Sequence, residues 1–277
     1  MFIYAKDESL TRVERLILTL FDVGAMTQAD LQKVLDVNDY TMSRIITSAN
    51  GSSKKDQKIG SIVENPGVRN SGKIRYLTRP GLEMAASMLG VEPPGKKLVL
   101  NEAELRIVAQ MGKYAVAYRD EGWNFLTYQG PYKVAQMYKL SVEVRNKTGK
   151  NSSKPIVFSM PWPSALVTEA SINDVGVSDA FFITYISRAM RPESIAKRIE
   201  QWNEVLNRIS LFAQLENLDF QHGILFLAPT QDVATKIPDI VRENLSLRNH
   251  YDFVSLNNID DFAIDGSYYP RKITDDL

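Results

Sequence analysis

The sequence contains no cysteine and only two histidines, His222 and His250. These absences exclude disulfides, thiolate nucleophiles, zinc ribbons and histidine-rich metal sites. The phosphate-binding patterns Gly-x-Gly-x-x-Gly and Gly-x-x-x-x-Gly-Lys-Ser/Thr are missing, and so is the hydrolase pattern Gly-x-Ser-x-Gly. We therefore expect no cofactor, no metal ion and no enzymatic activity.

Long apolar runs and a net charge are lacking as well. The longest apolar runs, such as residues 224–229, are far shorter than the ~20 residues that a membrane-spanning helix needs, and charged residues stand at positions 6–8, where a signal peptide would be apolar. These features predict a cytoplasmic protein without membrane contact. The 33 basic and 33 acidic residues cancel, so a nucleic-acid partner would require a locally basic surface.

The chain of 277 residues, 44% of them hydrophobic, is long enough for two domains. Residues 91–97 combine two prolines, a glycine and two lysines, a composition that resists regular structure and commonly separates domains. The sequence therefore predicts an amino-terminal domain at 1–90, a linker at 91–97 and a carboxy-terminal domain at 98–277.

Apolar spacing in the first ninety residues predicts helices at about 9–24 and 27–36, and a third helix that begins with Asp39 as its cap. A short helix, a tight turn and a second helix are the parts of a helix-turn-helix. The third helix is expected to turn its apolar side inward. Its outward side then carries hydrogen-bonding groups on Tyr40, Thr41, Ser43, Arg44 and Thr47.

Two strands are predicted after these helices, at about 60–63 and 74–77, with turn residues between them. This hairpin would be the wing of a winged helix-turn-helix. Thr78 is expected to cap a fourth helix that ends at Gly90.

Positive charge is concentrated in this part of the chain. Between Tyr40 and Pro80 there are eight basic residues and two acidic ones. A basic helix and hairpin in an otherwise neutral or acidic chain are typical of proteins that dock against phosphates, although solvated loops also carry scattered lysines. The candidate DNA-binding residues are Tyr40, Thr41, Ser43, Arg44, Thr47, Lys54, Lys55, Lys58, Arg69, Lys73 and Arg75.

The end of the hairpin, Tyr76-Leu77-Thr78-Arg79-Pro80-Gly81, resembles the Tyr-x-Leu-Thr-x-x-Gly-like stretch of bacterial plasmid replication-relaxation proteins. The resemblance covers about the first ninety residues. It implies a winged-helix protein of a mobile element, such as a plasmid, phage or integrative element, that acts in replication, transfer or transcriptional control.

The carboxy-terminal half alternates strands, expected at about 180–186, 224–227 and 253–256, with helices at about 192–210 and 231–247. This alternation predicts an α/β or α+β domain. The family resemblance implies a nuclease-like fold there, with Asp179 before the central strand. Such a site needs a second carboxylate and usually a lysine, and neither Thr184 nor Tyr185 replaces that carboxylate, so we expect a degenerate nuclease-like fold without catalysis.

The leading hypothesis is a sequence-specific double-stranded-DNA-binding protein that acts as a homodimer and has a carboxy-terminal domain for assembly or a protein partner. The helix at 192–210 and the aromatic residues between 114 and 138 are the candidate dimer surface. One alternative is a metal-dependent nickase that uses Asp179 with Glu169 or Asp174. Another is a protein-docking winged helix whose basic wing is only solvated.

Overall fold

A computed structural model describes residues 2–94, 99–117, 123–126, 144–145, 151–152, 164–169, 180–187, 189–202, 222–228, 231–243 and 251–255. These residues mix helices and strands, which confirms the α+β class. They form two compact units. The first includes the described residues up to Leu126, and the second includes those from Val144 onward.

Up to Ala117, the described residues of the first unit contain five α-helices, three strands and two short 3₁₀ turns. In chain order they are a 3₁₀ turn Ile3–Lys6, α1 Arg12–Val23, β1 Ala25–Thr27, α2 Gln28–Leu35, α3 Asp39–Asn50, a 3₁₀ turn Lys54–Asp56, β2 Ile59–Val63, β3 Lys73–Leu77, α4 Arg79–Leu89 and α5 Glu102–Ala117.

Side-chain caps determine where the first two helices begin. At α1, the Thr11 hydroxyl accepts a hydrogen bond from the backbone of Glu14 at 3.3 Å, and the Glu14 carboxylate accepts one from the backbone of Thr11 at 2.7 Å. At α2, the Thr27 hydroxyl accepts from the Asp30 backbone at 3.1 Å. Gly24, with φ of 79°, ends α1 in a backbone conformation that glycine adopts readily.

Two other predicted caps differ from the structure. Asn38, not Asp39, caps α3, since its side-chain oxygen accepts from the backbone of Thr41 at 2.8 Å. Thr78 occupies the N-cap position of α4 without a capping hydrogen bond, because its hydroxyl donates to the carbonyl of Gln57 instead. In both cases the side chain that was predicted to cap makes a hydrogen bond elsewhere: Asp39 accepts one from Gln28, and Thr78 donates one to the Gln57 carbonyl.

Strands β1, β2 and β3 form an antiparallel sheet in the order β1-β3-β2. Ile59 pairs with Leu77 and Val63 pairs with Lys73, so β2 and β3 form the expected hairpin, named here the β2–β3 hairpin, residues 59–77. Strand β1 was not predicted, because three residues are too few to show an alternating pattern. The buried core beside this sheet contains Leu16, Ile17, Leu20, Phe21, Met42, Ile74 and Leu82.

Helix α5 lies in the first unit, which differs from the predicted boundary at 91–97. A β-carbon added to Gly112 would stand 3.5 Å from the carbonyl oxygen of Ala25 on β1, so the two backbones lie close together. Leu105, Val108 and Met111 are buried. Helices α4 and α5 are separate, since α4 ends at Leu89 and α5 begins at Glu102. The prolines between them predict such an interruption, but they do not show against which unit the next helix packs.

The described strands of the second unit include a sheet in the order β10-β9-β8-β7, in which β8, β9 and β10 are parallel and β7 is antiparallel to β8. A separate hairpin consists of β5 and β6. The bounds are β4 Trp123–Leu126, β5 Val144–Arg145, β6 Asn151–Ser152, β7 Ser164–Glu169, β8 Ala180–Tyr185, α6 192–202, β9 His222–Ala228, α7 Gln231–Ala234, α8 Lys236–Glu243 and β10 Tyr251–Ser255.

The helix predicted at 231–247 is divided into α7 and α8 at Thr235. Pro238 explains the division, since proline has no backbone N–H to donate to the carbonyl four residues earlier. The apolar side of α6, which was predicted to be part of a dimer surface, packs within the chain instead. Ile195, Ile199 and Trp202 are buried within the chain, and the Trp202 ring lies 4.9 Å from that of Phe182.

The other parts of the candidate dimer surface, residues 203–210 and most of the aromatic segment at 114–138, lie outside the described side chains. In the described part of the chain, none of the helices has both the length and the apolar character needed to cross a bilayer.

Candidate nucleic-acid interface

Helix α3 has one buried side and one exposed side. Met42, Ile45, Ile46 and Ala49 are buried, whereas Ser43, Arg44 and Thr47 are exposed and Thr41 is half-buried. Tyr40 is the most open of the predicted set, with 71% of its surface exposed. The 12 residues of α3 give a length of about 18 Å at ~1.5 Å per residue. The outward positions predicted for α3 are therefore largely solvent-facing.

Tyr40 and Arg44 are neighbours on this exposed side. They are separated by four residues, about one helical turn, and the guanidinium carbon of Arg44 lies 5.8 Å from the centre of the Tyr40 ring. This distance is within the range of a cation–π contact. Among residues 2–94, Arg44 has no carboxylate partner. The ring therefore orients a guanidinium whose charge is not compensated by an ion pair within residues 2–94.

The hydroxyl groups on α3 are not equivalent. Thr47 donates its hydroxyl proton to the carbonyl of Ser43 at 2.9 Å, so this oxygen can accept a hydrogen bond from a ligand but its proton is already engaged. Ser43 is exposed. Its hydroxyl can serve as both donor and acceptor.

Asn50 connects the end of α3 to the start of the hairpin. Its side-chain oxygen accepts from the backbone of Lys58 at 3.1 Å and of Ile59 at 2.8 Å, and its amide donates to the Ile59 carbonyl at 3.1 Å. The segment between these anchors carries Lys54 and Lys55, both exposed. Lys58 is half-buried, and its ammonium donates to the Asp56 carbonyl at 3.4 Å.

The loop of the β2–β3 hairpin begins after a backbone hydrogen bond from Glu64 to Gly72, with an N···O distance of 2.8 Å. Arg69 lies in this loop and Lys73 begins β3, and both are exposed. Within residues 2–94, Lys54, Lys55, Arg69 and Lys73 make no ion pair. These four side chains are the accessible positive charges that the sequence predicted.

Arg75 has a different environment from the other predicted bases. It is half-buried, and its Nε and Nη2 atoms donate to the side-chain oxygen of Gln28 at 3.0 and 2.5 Å. Gln28 donates in turn to Asp39 at 2.7 Å, and Gln32 donates to the same carboxylate oxygen at 3.1 Å. Burial lowers the pKa of the Arg75 guanidinium, and the negative charge of Asp39 partly opposes that shift.

The arrangement of Arg75, Gln28, Asp39 and Gln32, named here the Arg75 network, connects β3 to α2 and to the first turn of α3. Arg75 was predicted to contact phosphate, but in the structure its guanidinium donates two hydrogen bonds to Gln28. Sequence reasoning missed the two glutamines. Their spacing of four residues, which puts them on one side of α2, was the available signal.

Two of the three residues of the alternative nuclease site fall outside the part of the chain that the structure describes. Asp174 and Asp179 lie outside the described residues, and Glu169 is the last residue of β7. Among the residues that are described, no group of three or more histidine, aspartate or glutamate side chains could hold a metal ion. Thr184 on β8 is buried, at the position where the nuclease hypothesis required a carboxylate.

Comparisons with known proteins add no family: no protein-family model, no curated protein and no solved structure matches this chain. The resemblance to plasmid replication-relaxation proteins thus stays a prediction.

Proposed function

We propose that this chain is a winged helix-turn-helix protein that binds double-stranded DNA. The element order α1-β1-α2-α3-β2-β3, with a three-residue connection from α2 to α3 and a hairpin after α3, supports this proposal. The observation that carries it is the exposed side of α3, where Tyr40, Ser43, Arg44 and Thr47 lie opposite the buried apolar side.

In this proposal α3 enters the major groove. Arg44 is the residue best suited to read a base, because an extended guanidinium can donate two hydrogen bonds to the O6 and N7 atoms of guanine. Lys54, Lys55, Arg69 and Lys73 contact phosphates on either side. Arg75 holds the hairpin and the two helices in register and does not contact DNA.

A single helix and hairpin cover only a short site, so we expect a homodimer on two half-sites about 34 Å apart, one turn of the duplex. A cytoplasmic role in replication, transfer or transcription of a mobile element is the expectation that follows from the family resemblance. The second unit serves assembly or a protein partner in this scheme.

The decisive experiment measures binding of the full-length protein to its own upstream DNA and to a scrambled duplex. Arg44→Ala should weaken binding to the specific duplex by about 1–3 kcal/mol and leave binding to the scrambled duplex nearly unchanged. Arg106→Ala is the matched control, because Arg106 lies on α5 and pairs with Glu102 at 3.2 Å. That variant should bind as the wild type does.

The salt dependence of the same binding reaction reports the number of phosphate contacts. Each neutralised phosphate contributes roughly 0.9 to the slope of log K against log salt concentration. Equal binding to both duplexes, unaffected by Arg44→Ala, would contradict sequence-specific reading and favour the docking alternative. Magnesium-dependent nicking that Asp179→Ala abolishes would favour the nuclease alternative.

A further inference from the structure

Glu64 is the only acidic residue of the β2–β3 hairpin, which also carries Arg69, Lys73 and Arg75. Its carboxylate is largely shielded from solvent and forms an ion pair. The Nζ atom of Lys113 on α5 lies 2.5 Å from the Oε1 atom of Glu64, and only 14% of the Glu64 side chain is exposed. The negative charge of the hairpin is therefore neutralised by a residue 49 positions away on another element.

Gly72 gives this carboxylate its position. A β-carbon at residue 72 would stand 2.6 Å from the Oε2 atom of Glu64, so the absence of a side chain leaves the space that the carboxylate fills. The Glu64 backbone also donates to the Gly72 carbonyl at 2.8 Å. Glu64 thus lies at the base of the loop that carries Arg69, with Lys73 next to it in β3.

We propose that Lys113 controls the affinity of the hairpin for DNA by neutralising Glu64, so that α5 is a regulatory element of the DNA-binding surface. This inference rests on the proposed function. When Lys113 is paired with Glu64, the hairpin presents a positive field to the phosphates. When Lys113 is withdrawn, an uncompensated carboxylate repels those phosphates, because charges at a protein surface interact over roughly a Debye length of ~10 Å at 0.1 M salt.

The ion pair is not the main attachment of α5 to the first unit. Leu105, Val108 and Met111 of α5 are buried, and Gly112 lies against Ala25 and Met26. Substitutions at Lys113 or Glu64 are therefore expected to leave the fold intact. In this inference, a partner that binds α5 and displaces Lys113 would lower the affinity for DNA without contacting α3.

The test is a double-mutant cycle at Lys113 and Glu64, in which the affinity of the full-length protein for the specific duplex is measured at about 0.1 M salt. Lys113→Met should lower the affinity roughly 2- to 5-fold, and Glu64→Gln should raise it by a similar factor. The double variant should return to within about 2-fold of the wild type, because it removes one charge of each sign. These differences should shrink as salt rises, because the Debye length falls to ~3 Å at 1 M.

Arg106→Met and Glu102→Gln are the matched controls, since they remove the same charges from an ion pair on the same helix. Neither should change the affinity by the factors expected for the hairpin pair. Thermal unfolding of every variant shows whether the fold is intact. If Lys113→Met and Glu64→Gln both weaken binding, or neither changes it, the inference is overturned.

Heparin and the scrambled duplex separate this inference from the proposed function. The inference predicts that Glu64→Gln binds most tightly, the wild type less tightly and Lys113→Met least tightly. If heparin and the scrambled duplex both show this order, and the specific duplex binds no better, the role of Lys113 is supported and sequence-specific DNA recognition is contradicted. Failure of the wild type to bind heparin or either duplex would overturn both proposals.

Discussion

Arg44, Lys73 and Arg75 are all bases in the same segment, yet their environments differ. Arg44 lies over the Tyr40 ring on the exposed side of α3, and Lys73 is exposed at the start of β3. Arg75, two residues later on the same strand, is half-buried and committed to Gln28. A count of charges treats the three residues alike, whereas only an exposed base can neutralise phosphate without losing an existing partner.

The Arg75 network predicts that Arg75 stabilises the fold and does not contact phosphate, and a substitution can distinguish these two roles. Arg75→Gln should leave the salt dependence of DNA binding unchanged while it lowers the free energy of unfolding by about 1–3 kcal/mol, because a half-buried acceptor on Gln28 loses its charged donor. Lys73→Gln is the matched control on the same strand. It should reduce the slope of log K against log salt concentration by about 0.9 with little effect on unfolding.

Binding measured over a range of salt, together with denaturant unfolding, checks both variants. Equal reductions of the slope by the two substitutions would show that Arg75 contacts phosphate after all.

At the level of elements, close packing decides where helices tolerate glycine. Gly81 lies inside α4, where glycine costs roughly 1 kcal/mol relative to alanine. Its presence has a packing reason: a β-carbon at this position would lie 2.2 Å from the carbonyl oxygen of Lys58, beside β2. Gly112 in α5 is less constrained, since the nearest atom to an added β-carbon is 3.5 Å away.

These two glycines should respond in opposite directions to the same substitution. Gly81→Ala should destabilise the first unit by about 1–3 kcal/mol, because backbone must move to admit the methyl group. Gly112→Ala should be neutral or stabilising by up to about 1 kcal/mol, since it gains helix propensity without a clash. Urea unfolding measures both effects. A loss of stability of the same size for both would refute the packing argument.

At the level of the whole molecule, α5 belongs to the unit that carries the proposed DNA-binding surface. Met26 on β1 is fully buried, and its side chain lies within 3.6 Å of the β-carbon position of Gly112. A chain that ends before α5 would expose this apolar side of β1 and would also leave Glu64 without Lys113.

Fragments test this boundary. A fragment of residues 1–117 should unfold at a higher temperature than one of residues 1–94, because burial of apolar surface stabilises by roughly 25 cal/mol per Å². Calorimetry or circular dichroism gives the two midpoints. Equal midpoints would return the boundary to the linker at 91–97 that the sequence predicted.

The sequence by itself determined helices α1 to α4, the β2–β3 hairpin and the exposed side of α3, because caps, turns and apolar spacing depend on residues within one or two turns of each other. It also identified the parallel strands of the second sheet by their apolar runs. Exposed residues such as Tyr40 and Lys73 were found in the same way.

Only the tertiary structure decided the pairing of β1 with β3, the commitment of Arg75 to Gln28 and the neutralisation of Glu64 by Lys113. The two side-chain contacts join residues 47 and 49 positions apart, and β1 is too short to show a period. No local pattern encodes such contacts, since they arise when packed elements bring distant side chains within hydrogen-bonding distance. For the same reason, the sequence predicted a linker at 91–97 but could not show to which unit α5 belongs.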